Sequence, residues 1–275
     1  MQAAPPDPPD ATKLWHCECI NRREAARGGA VPRQLFTTTD DVVLSGRHWF
    51  RTDAPRAAVV LVHGFTASAN DPAVCDVAEA LHADGVDVVC YDARGHGTSE
   101  GHSTLGDLER HDVAAAVDAA RERNDRVVLV GASMGAIAAL RYAAHSDGLA
   151  GVVSVSCPAQ WRLPRNVQGV LAAGLTRTRV GRAVASRWMG VQVAPRWTNP
   201  EPPIGLVPKV HAPVAFLHGA ADRFVPASDA AELYEVAGDP RRLRIVPDMG
   251  HAFAPQSVPA IRDAVDWALA VEVRT

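Results

Sequence analysis

Apolar runs of strand length that alternate with helical patterns limit most strongly what this chain can fold into. Four such runs are Ala57–Val62, Val86–Tyr91, Val127–Val130 and Leu149–Val155, and the segments between them carry apolar residues at helical spacing. A strand that is apolar on both faces is typical of a parallel sheet covered by helices on both sides. The sequence therefore predicts an α/β fold with a mostly parallel central sheet flanked by helices.

Two predicted strands precede this alternation, and one long insertion interrupts it. Leu35–Thr38 and Val42–Phe50 are expected to form a hairpin-like start, and strands over 212–218 and 243–246 complete the pattern. Residues 159–209 contain scattered Pro, Trp and Arg without a clear strand, and they are too many for an ordinary loop. We expect a helical cap or lid here, inserted before the penultimate strand and standing over the carboxyl ends of the strands.

Composition and charge exclude some classes of function. The 275 residues suffice for one large α/β domain, and the net charge of −3 gives no reason to expect a nucleic-acid partner. No run of about 18 apolar residues occurs, so no transmembrane helix is expected. Five cysteines at irregular spacing, with no apolar signal segment at the N-terminus, predict free thiols and a cytoplasmic location.

The predicted organisation has three parts. These are a disordered, proline-rich tail over residues 1–11, a core over 12–158 and 210–275, and a cap over 159–209. Near the tail, His16-Cys17-Glu18-Cys19 is not completed by a second cluster of ligands, so no metal site is predicted.

The segment Gly131-Ala132-Ser133-Met134-Gly135 joins an apolar run to a helical pattern, which gives the order strand, sharp turn, helix. This is the G-x-S-x-G pattern of a nucleophile elbow, in which small neighbours two positions away allow a strained serine to stand above the sheet. The helix N-terminus that follows favours developing negative charge. Ser133 is therefore the predicted nucleophile.

Two further residues that follow predicted strands supply a base and an acid. His251 follows the last strand in a glycine-containing loop, and Asp222 lies between the penultimate strand and a helix. The chain order Ser133, Asp222, His251 matches that of a known type of serine-hydrolase triad. An Asx turn or a helix cap is the alternative role for Asp222, and Asp248 is the alternative acid, although we expect Asp248 to form a turn.

Acyl transfer also needs N–H donors for the oxyanion that forms in the transition state. We expect one from Met134, the residue after the nucleophile, and one from the His63-Gly64-Phe65-Thr66 loop after the first buried strand. The Phe65 N–H is the donor assigned in this loop. Gly64 would permit close approach, and His63 is expected to be a structural hydrogen-bonding residue.

These motifs together resemble the α/β-hydrolase superfamily over about Phe36 to Ala270. The motifs are His63-Gly64-Phe65, the loop Asp92-Ala93-Arg94-Gly95-His96-Gly97-Thr98-Ser99, Gly131 to Gly135, and Asp222 with Gly250-His251. The second motif is similar to a loop of monoacylglycerol-lipase-like and related esterases, and this similarity implies that Arg94 and His96 brace the site. The resemblance implies an α/β-hydrolase fold and a serine hydrolase that works through an acyl-enzyme and needs no metal or cofactor.

The predicted cap is rich in arginine and tryptophan. Residues 159–200 contain seven arginines and no Asp, Glu or Lys, which leaves 21 basic against 31 acidic residues in the rest of the chain. Arg162, Trp161 and Trp188 are the candidate substrate-binding residues. In one interpretation, the arginines solvate the outer face and the tryptophans pack on the sheet. In the other, the cap attracts a carboxylate, a phosphate, a coenzyme A or carrier-protein thioester, or an anionic membrane surface.

Cleavage of a carboxylic ester with a small to medium acyl or lipid-like group is the predicted function. The alternatives are an acyl thioesterase, an acyltransferase, a C–C bond hydrolase and a non-catalytic receptor with a hydrolase-like fold. Because this fold hosts many chemistries, the sequence does not choose the acyl length or the leaving group.

Overall fold

The computed structural model describes residues 33–161 and 174–271. The predicted tail, the His16-Cys17-Glu18-Cys19 segment and the candidate Arg162 lie outside the described residues. No helix in the described ranges is long and apolar enough to cross a membrane.

Eight strands of the described chain form one sheet. They are β1 (Arg33–Thr37), β2 (Val43–Trp49), β3 (Ala58–Val62), β4 (Asp87–Tyr91), β5 (Val127–Ala132), β6 (Gly151–Val155), β7 (Val214–Gly219) and β8 (Arg241–Val246). Their spatial order is β1-β2-β4-β3-β5-β6-β7-β8. The β1–β2 and β2–β4 pairs are antiparallel and the other pairs are parallel. This sheet confirms the predicted fold class, including the hairpin-like start.

The described helices are α1 (Pro72–Ala83), α2 (Glu109–Arg121), α3 (Met134–Ala143), α4 (Arg179–Met189), α5 (Pro203–Leu206), α6 (Ser228–Val236) and α7 (Ser257–Ala270), with a 3-10 helix at Val207–Lys209. Helix α1 packs against α7, and α2 packs against α3. Every residue of the parallel strands β3 to β7 is buried. Burial on both faces explains why these strands are continuous apolar runs.

Helix α2 begins four residues later than its pattern predicts. The apolar pattern extends back to Leu105, but Leu105 and Gly106 adopt left-handed φ values of 60° and 96°. The buried carboxylate of Glu109 accepts hydrogen bonds from the Thr104 and Gly106 N–H groups at 2.8 and 2.9 Å. The first helical residue therefore holds the preceding loop in a non-helical conformation.

Strand β8 begins two residues earlier than predicted, at Arg241 instead of Leu243. It is the outermost strand next to β7, and its burial pattern is only partial. An edge strand accepts charged residues because one side faces solvent, so Arg241, Arg242 and Arg244 do not interrupt it.

The described part of the insertion over residues 159–209, called here the insert, contains α4, α5 and the 3-10 helix. Its backbone pairs with the core at an isolated bridge, where Ser103 N–H donates to Gln192 O at 2.7 Å and Ala194 N–H donates to Ser103 O at 2.9 Å. Gln192 N–H also donates to Gly95 O at 2.7 Å. Ala185, Val191 and Val193 form a small buried cluster against which Phe65 packs. The insert therefore contacts the loop after β3.

Candidate active site

Ser133 has a strained backbone conformation at the centre of the sheet. Ser133 follows β5, which lies between β3 and β6, and its φ and ψ are 53° and −114°. A Cβ at Gly131 would collide with the Gly135 carbonyl, and a Cβ at Gly135 would collide with the Val62 carbonyl. The two glycines thus allow the close strand–helix packing that holds a serine in an unfavourable conformation.

His251 and Asp222 lie in hydrogen-bonding order beside this serine. His251 Nε2 is 2.9 Å from Ser133 Oγ, and His251 Nδ1 is 2.7 Å from Asp222 Oδ2. The three residues follow β5, β8 and β7, whose carboxyl ends share one edge of the sheet. The structure therefore brings together all three residues of the predicted triad.

Asp222 also forms a turn, which was the alternative role for it. Its Oδ1 accepts hydrogen bonds from the Phe224 and Val225 N–H groups at 2.8 and 3.0 Å, while its Oδ2 faces His251. Each oxygen of the fully buried carboxylate thus has a separate partner. Asp248, the alternative acid, is exposed and has a left-handed φ of 55°, as expected for a turn residue.

A second histidine, His218 at the end of β7, contacts the same carboxylate. His218 Nε2 lies 3.0 Å from Val225 O and 3.4 Å from Asp222 Oδ2. Burial alone would raise the pKa of Asp222, but the hydrogen bonds from His218 and His251 outweigh burial and hold this pKa well below its usual range. Asp222 is therefore ionised, and it is placed to orient and stabilise a charged His251.

The two assigned oxyanion donors lie next to Ser133. Met134 is the first residue of α3, where N–H groups have no partner within the helix. A Cβ at Gly64 would lie 3.4 Å from the Ser133 Cβ, which places the Phe65 loop beside the predicted nucleophile. Within residues 33–161 and 174–271, neither the Phe65 nor the Met134 amide donates to another protein group.

His63 fixes the conformation of the Phe65 loop. Its Nε2 accepts a hydrogen bond from the Ala93 N–H at 2.9 Å, so its Nδ1 is the protonated nitrogen and donates to Gly64 O at 2.8 Å. Burial lowers the pKa of His63 to about 4, so the ring is neutral at pH 7. His63 is thus a structural link between two loops at the site.

Arg94 joins three elements behind the site. Its guanidinium donates to Asp112 of α2 at 2.8 Å and makes two bonds to Asp40 at 2.7 and 2.8 Å. Asp112 also accepts from the Arg94 N–H, and both Arg94 and Asp112 are buried. This ion-pair network braces the 92–99 loop against the β1–β2 turn and α2.

A cavity of about 1080 Å³ opens beside the triad. Ser133, Met134 and Phe65 lie at one part of its wall. The insert contributes Trp161 and Trp197, whose rings meet edge to face with centroids 5.2 Å apart. Trp188 does not line this cavity, and its side chain on α4 is 83% exposed.

Sequence reasoning missed three residues around the triad. His218 contacts the acid, the Phe224 ring lies 5.1 Å from the His251 ring, and Ser156 Oγ accepts a hydrogen bond from the Ala252 N–H at 3.2 Å. Ser156 has a left-handed φ of 50°. The only signal in the sequence for a role of Ser156 was its position directly after β6, the strand next to β5.

A family model described as "Serine aminopeptidase, S33" matches residues 53–201 of this chain. The matched range contains the Phe65 loop, Ser133 and most of the insert. It ends before Asp222 and His251, so the acid and the base are supported by their geometry and not by this match.

The chain is also similar to uncharacterized proteins in sequence and to a solved structure in fold. The chain is 27% identical over 232 residues to the uncharacterized protein YqkD of Bacillus subtilis, covering 77% of this chain and 70% of YqkD. It is 29% identical over 248 residues to the uncharacterized protein YfhR of Salmonella typhi, covering 84% of this chain and 78% of YfhR. A structure of the Pyrococcus furiosus esterase Pf2001 superposes with a TM-score of 0.70 at 22% identity, over 89% of this chain and 92% of that chain.

Proposed function

This chain belongs to the serine aminopeptidase S33 family of α/β-hydrolases, and we propose that within this family it cleaves carboxylic esters with a small to medium acyl or lipid-like group. The observation that carries the proposal is the unbroken hydrogen-bond chain from Ser133 through His251 to Asp222 at the wall of a large cavity. The cavity volume of about 1080 Å³ is large enough for a substrate bigger than a short-chain ester.

In the first step, Ser133 Oγ attacks the ester carbonyl while His251 Nε2 removes the hydroxyl proton. The negative charge moves to the carbonyl oxygen, where the Phe65 and Met134 N–H groups donate to it. Asp222 stabilises the imidazolium that forms on His251. His251 then gives the proton to the alcohol as the C–O bond breaks, which leaves the acyl group on Ser133.

The second step reverses these roles with water. His251 removes a proton from water, and the hydroxide attacks the acyl carbonyl in the same oxyanion site. The C–O bond to Ser133 breaks, and His251 returns the proton to the serine oxygen. The products are a carboxylic acid and an alcohol, and the residues return to their initial protonation states.

The charges at the cavity favour an ester over a peptide with a free N-terminus. The acidic side chains in the described lining are Asp222, which binds His251, and Asp229, which accepts from the Ala159 N–H at 2.9 Å. Four arginines line the same cavity. A free α-ammonium group would therefore meet positive charge and carboxylates that already have partners, so an aminopeptidase activity is disfavoured here.

Hydrolysis of p-nitrophenyl esters from acetate to laurate tests the proposal, with alanine p-nitroanilide as the aminopeptidase probe. We expect ester turnover that falls by about a thousandfold or more in Ser133→Ala, because the nucleophile is lost. Ser146→Ala, on the loop between α3 and β6, is the matched control and should retain activity. A fluorophosphonate probe should label the wild type and Ser146→Ala but not Ser133→Ala.

Two results would contradict the proposal. Turnover of the anilide without ester turnover would favour the aminopeptidase. Ester turnover that persists in Ser133→Ala would remove Ser133 from the reaction.

A further inference from the structure

The cavity beside Ser133 is lined by arginines from two parts of the chain. Arg177, Arg182 and Arg196 come from the insert, and Arg223 comes from the loop that holds Asp222. Three of the five insert arginines in the described residues therefore face this cavity. The other two, Arg179 and Arg187, do not line it.

The three insert arginines at the cavity have no acidic partner in the described chain. Within the described residues, the Arg182 guanidinium donates only to the Arg177 carbonyl, at 3.2 Å. None of the described ion pairs includes Arg177, Arg182 or Arg196. Arginines elsewhere are usually paired, as Arg123 is with Asp87 at 2.7 Å. Across the described ranges, no acidic side chain therefore neutralises the charge of these three arginines.

The cavity also offers apolar surface between these charges and the nucleophile. Leu105, Ile137, Val193 and the paired Trp161 and Trp197 are part of the lining. An acyl chain or a spacer can be buried against such residues, while a planar guanidinium binds a carboxylate or phosphate through two hydrogen bonds.

We infer that the natural substrate is an ester or thioester that carries a carboxylate or phosphate group at a distance from the reacting carbonyl. This inference rests on the proposed function and adds the charge of the substrate to it. The anion binds Arg182 and Arg196, with Arg177 adjacent, and the carbonyl lies at Ser133. Solvation of the outer face, the other role considered for these arginines, fits Arg179, which does not line the cavity.

Two matched pairs of substrates test the inference and locate the anion. p-Nitrophenyl octanoate and mono-p-nitrophenyl suberate share an eight-carbon acyl chain and differ by a terminal carboxylate. Octanoyl-pantetheine and octanoyl-4′-phosphopantetheine share the thioester and differ by one phosphate on the leaving group. We expect kcat/KM to favour the anionic member of one pair by about tenfold or more, a preference that added salt reduces.

Variants of the arginines identify the source of the preference. Arg182→Gln and Arg196→Gln should each reduce the anionic-to-neutral ratio of kcat/KM by about five- to tenfold. Arg179→Gln is the matched control, because it lies on the same helix outside the cavity, and it should leave the ratio unchanged. Isothermal titration of suberate and coenzyme A into Ser133→Ala measures binding without turnover.

The outcomes separate this inference from the proposed function. If Ser133 is required for hydrolysis of the neutral substrates but neither pair shows a preference for its anionic member, the inference is overturned. The proposed esterase function would then still stand. An equal loss of preference in Arg179→Gln would also overturn the inference, because a general surface charge would then suffice. A third outcome is that suberate or coenzyme A binds in an Arg182-dependent way, but no ester or thioester is turned over in a Ser133-dependent way. This result would support the anion site and overturn the proposed hydrolase.

Discussion

The triad and the insert meet at one cavity, but they are held in different ways. Ser133, Asp222 and His251 follow three strands of one buried sheet, and the Asp222 carboxylate is fully buried. In the insert, Ala185 is the only buried residue of α4. The proposed reacting groups therefore lie on the well-packed, rigid part of the molecule, whereas most of the charge that would select a substrate lies on or near α4, which is thinly packed.

The insert contacts the core close to the proposed oxyanion site. The bridge between Ser103 and Val193 ties the insert to the core, and the Ala185–Val191–Val193 cluster packs against Phe65. Phe65 also carries one of the proposed oxyanion donors. A change in the insert can thus reach the proposed oxyanion site through the packing around Phe65.

The largest effect on activity is expected from a substitution in the proposed triad, which lies in the rigid region. Asp222→Asn keeps the shape of the side chain but loses the charge that orients His251 and stabilises its protonated form. We expect kcat for p-nitrophenyl esters to fall by about a thousandfold or more. Asp248→Asn is the matched control, because Asp248 is exposed and lies outside the hydrogen-bond chain, and an equal loss in both variants would remove Asp222 from its proposed role.

The same carboxylate makes the stability of the rigid region depend on pH. The pKa of Asp222 in the folded protein lies below its unfolded value of about 3.9. The contribution of its charge to the free energy of unfolding is therefore present above about pH 4 and is lost as the pH falls further. The difference in the free energy of unfolding between wild type and Asp222→Asn should therefore be largest near pH 7 and should shrink toward pH 3 in urea titrations. A difference that does not change with pH would mean that the charge makes no contribution.

An intermediate effect is expected at the ion pairs that brace the core. Arg94→Met removes the partner of the buried Asp112 carboxylate, and we expect the free energy of unfolding to fall by about 3 kcal/mol. Arg110→Met is the control, because its pair with Asp107, just before α2, spans 3.4 Å, is more exposed than the Arg94–Asp112 pair, and should be worth less than about 1 kcal/mol. Equal shifts in the urea midpoint would show that Arg94 does not act as a brace.

The sheet and the residues that follow it were accessible to sequence reasoning, because their signals are local. Apolar runs marked the strands, and the five residues around Ser133 carried the turn that the structure has. His251 and Asp222 were found because carboxyl ends of parallel strands share one edge. His218 was not found, because its contact with Asp222 depends on how the loop after β7 folds back, and no local pattern encodes that path.

The insert shows why the remainder was not predictable. Val180, Val184 and Trp188 recur at intervals of four residues on α4, a spacing that normally marks the buried face of a helix. In the structure these three side chains are exposed, and Ala185 is buried instead. Composition identified arginines and tryptophans as important, but it could not distinguish Trp161 and Trp197 at the cavity from Trp188 outside it.

The smallest effect is expected on the outer face of the insert. Trp188→Ser removes a side chain that is 83% exposed, so the free energy of unfolding should change by less than about 0.5 kcal/mol. Leu140→Ala, in the fully buried core of α3, should lower it by about 2–5 kcal/mol in the same urea titrations. Trp197→Ser provides the functional contrast, because Trp197 lines the cavity and its loss should reduce kcat/KM more than the loss of Trp188. A loss of stability in Trp188→Ser close to that of Leu140→Ala would mean that α4 is packed like the core, and the contrast between the two regions would then fail.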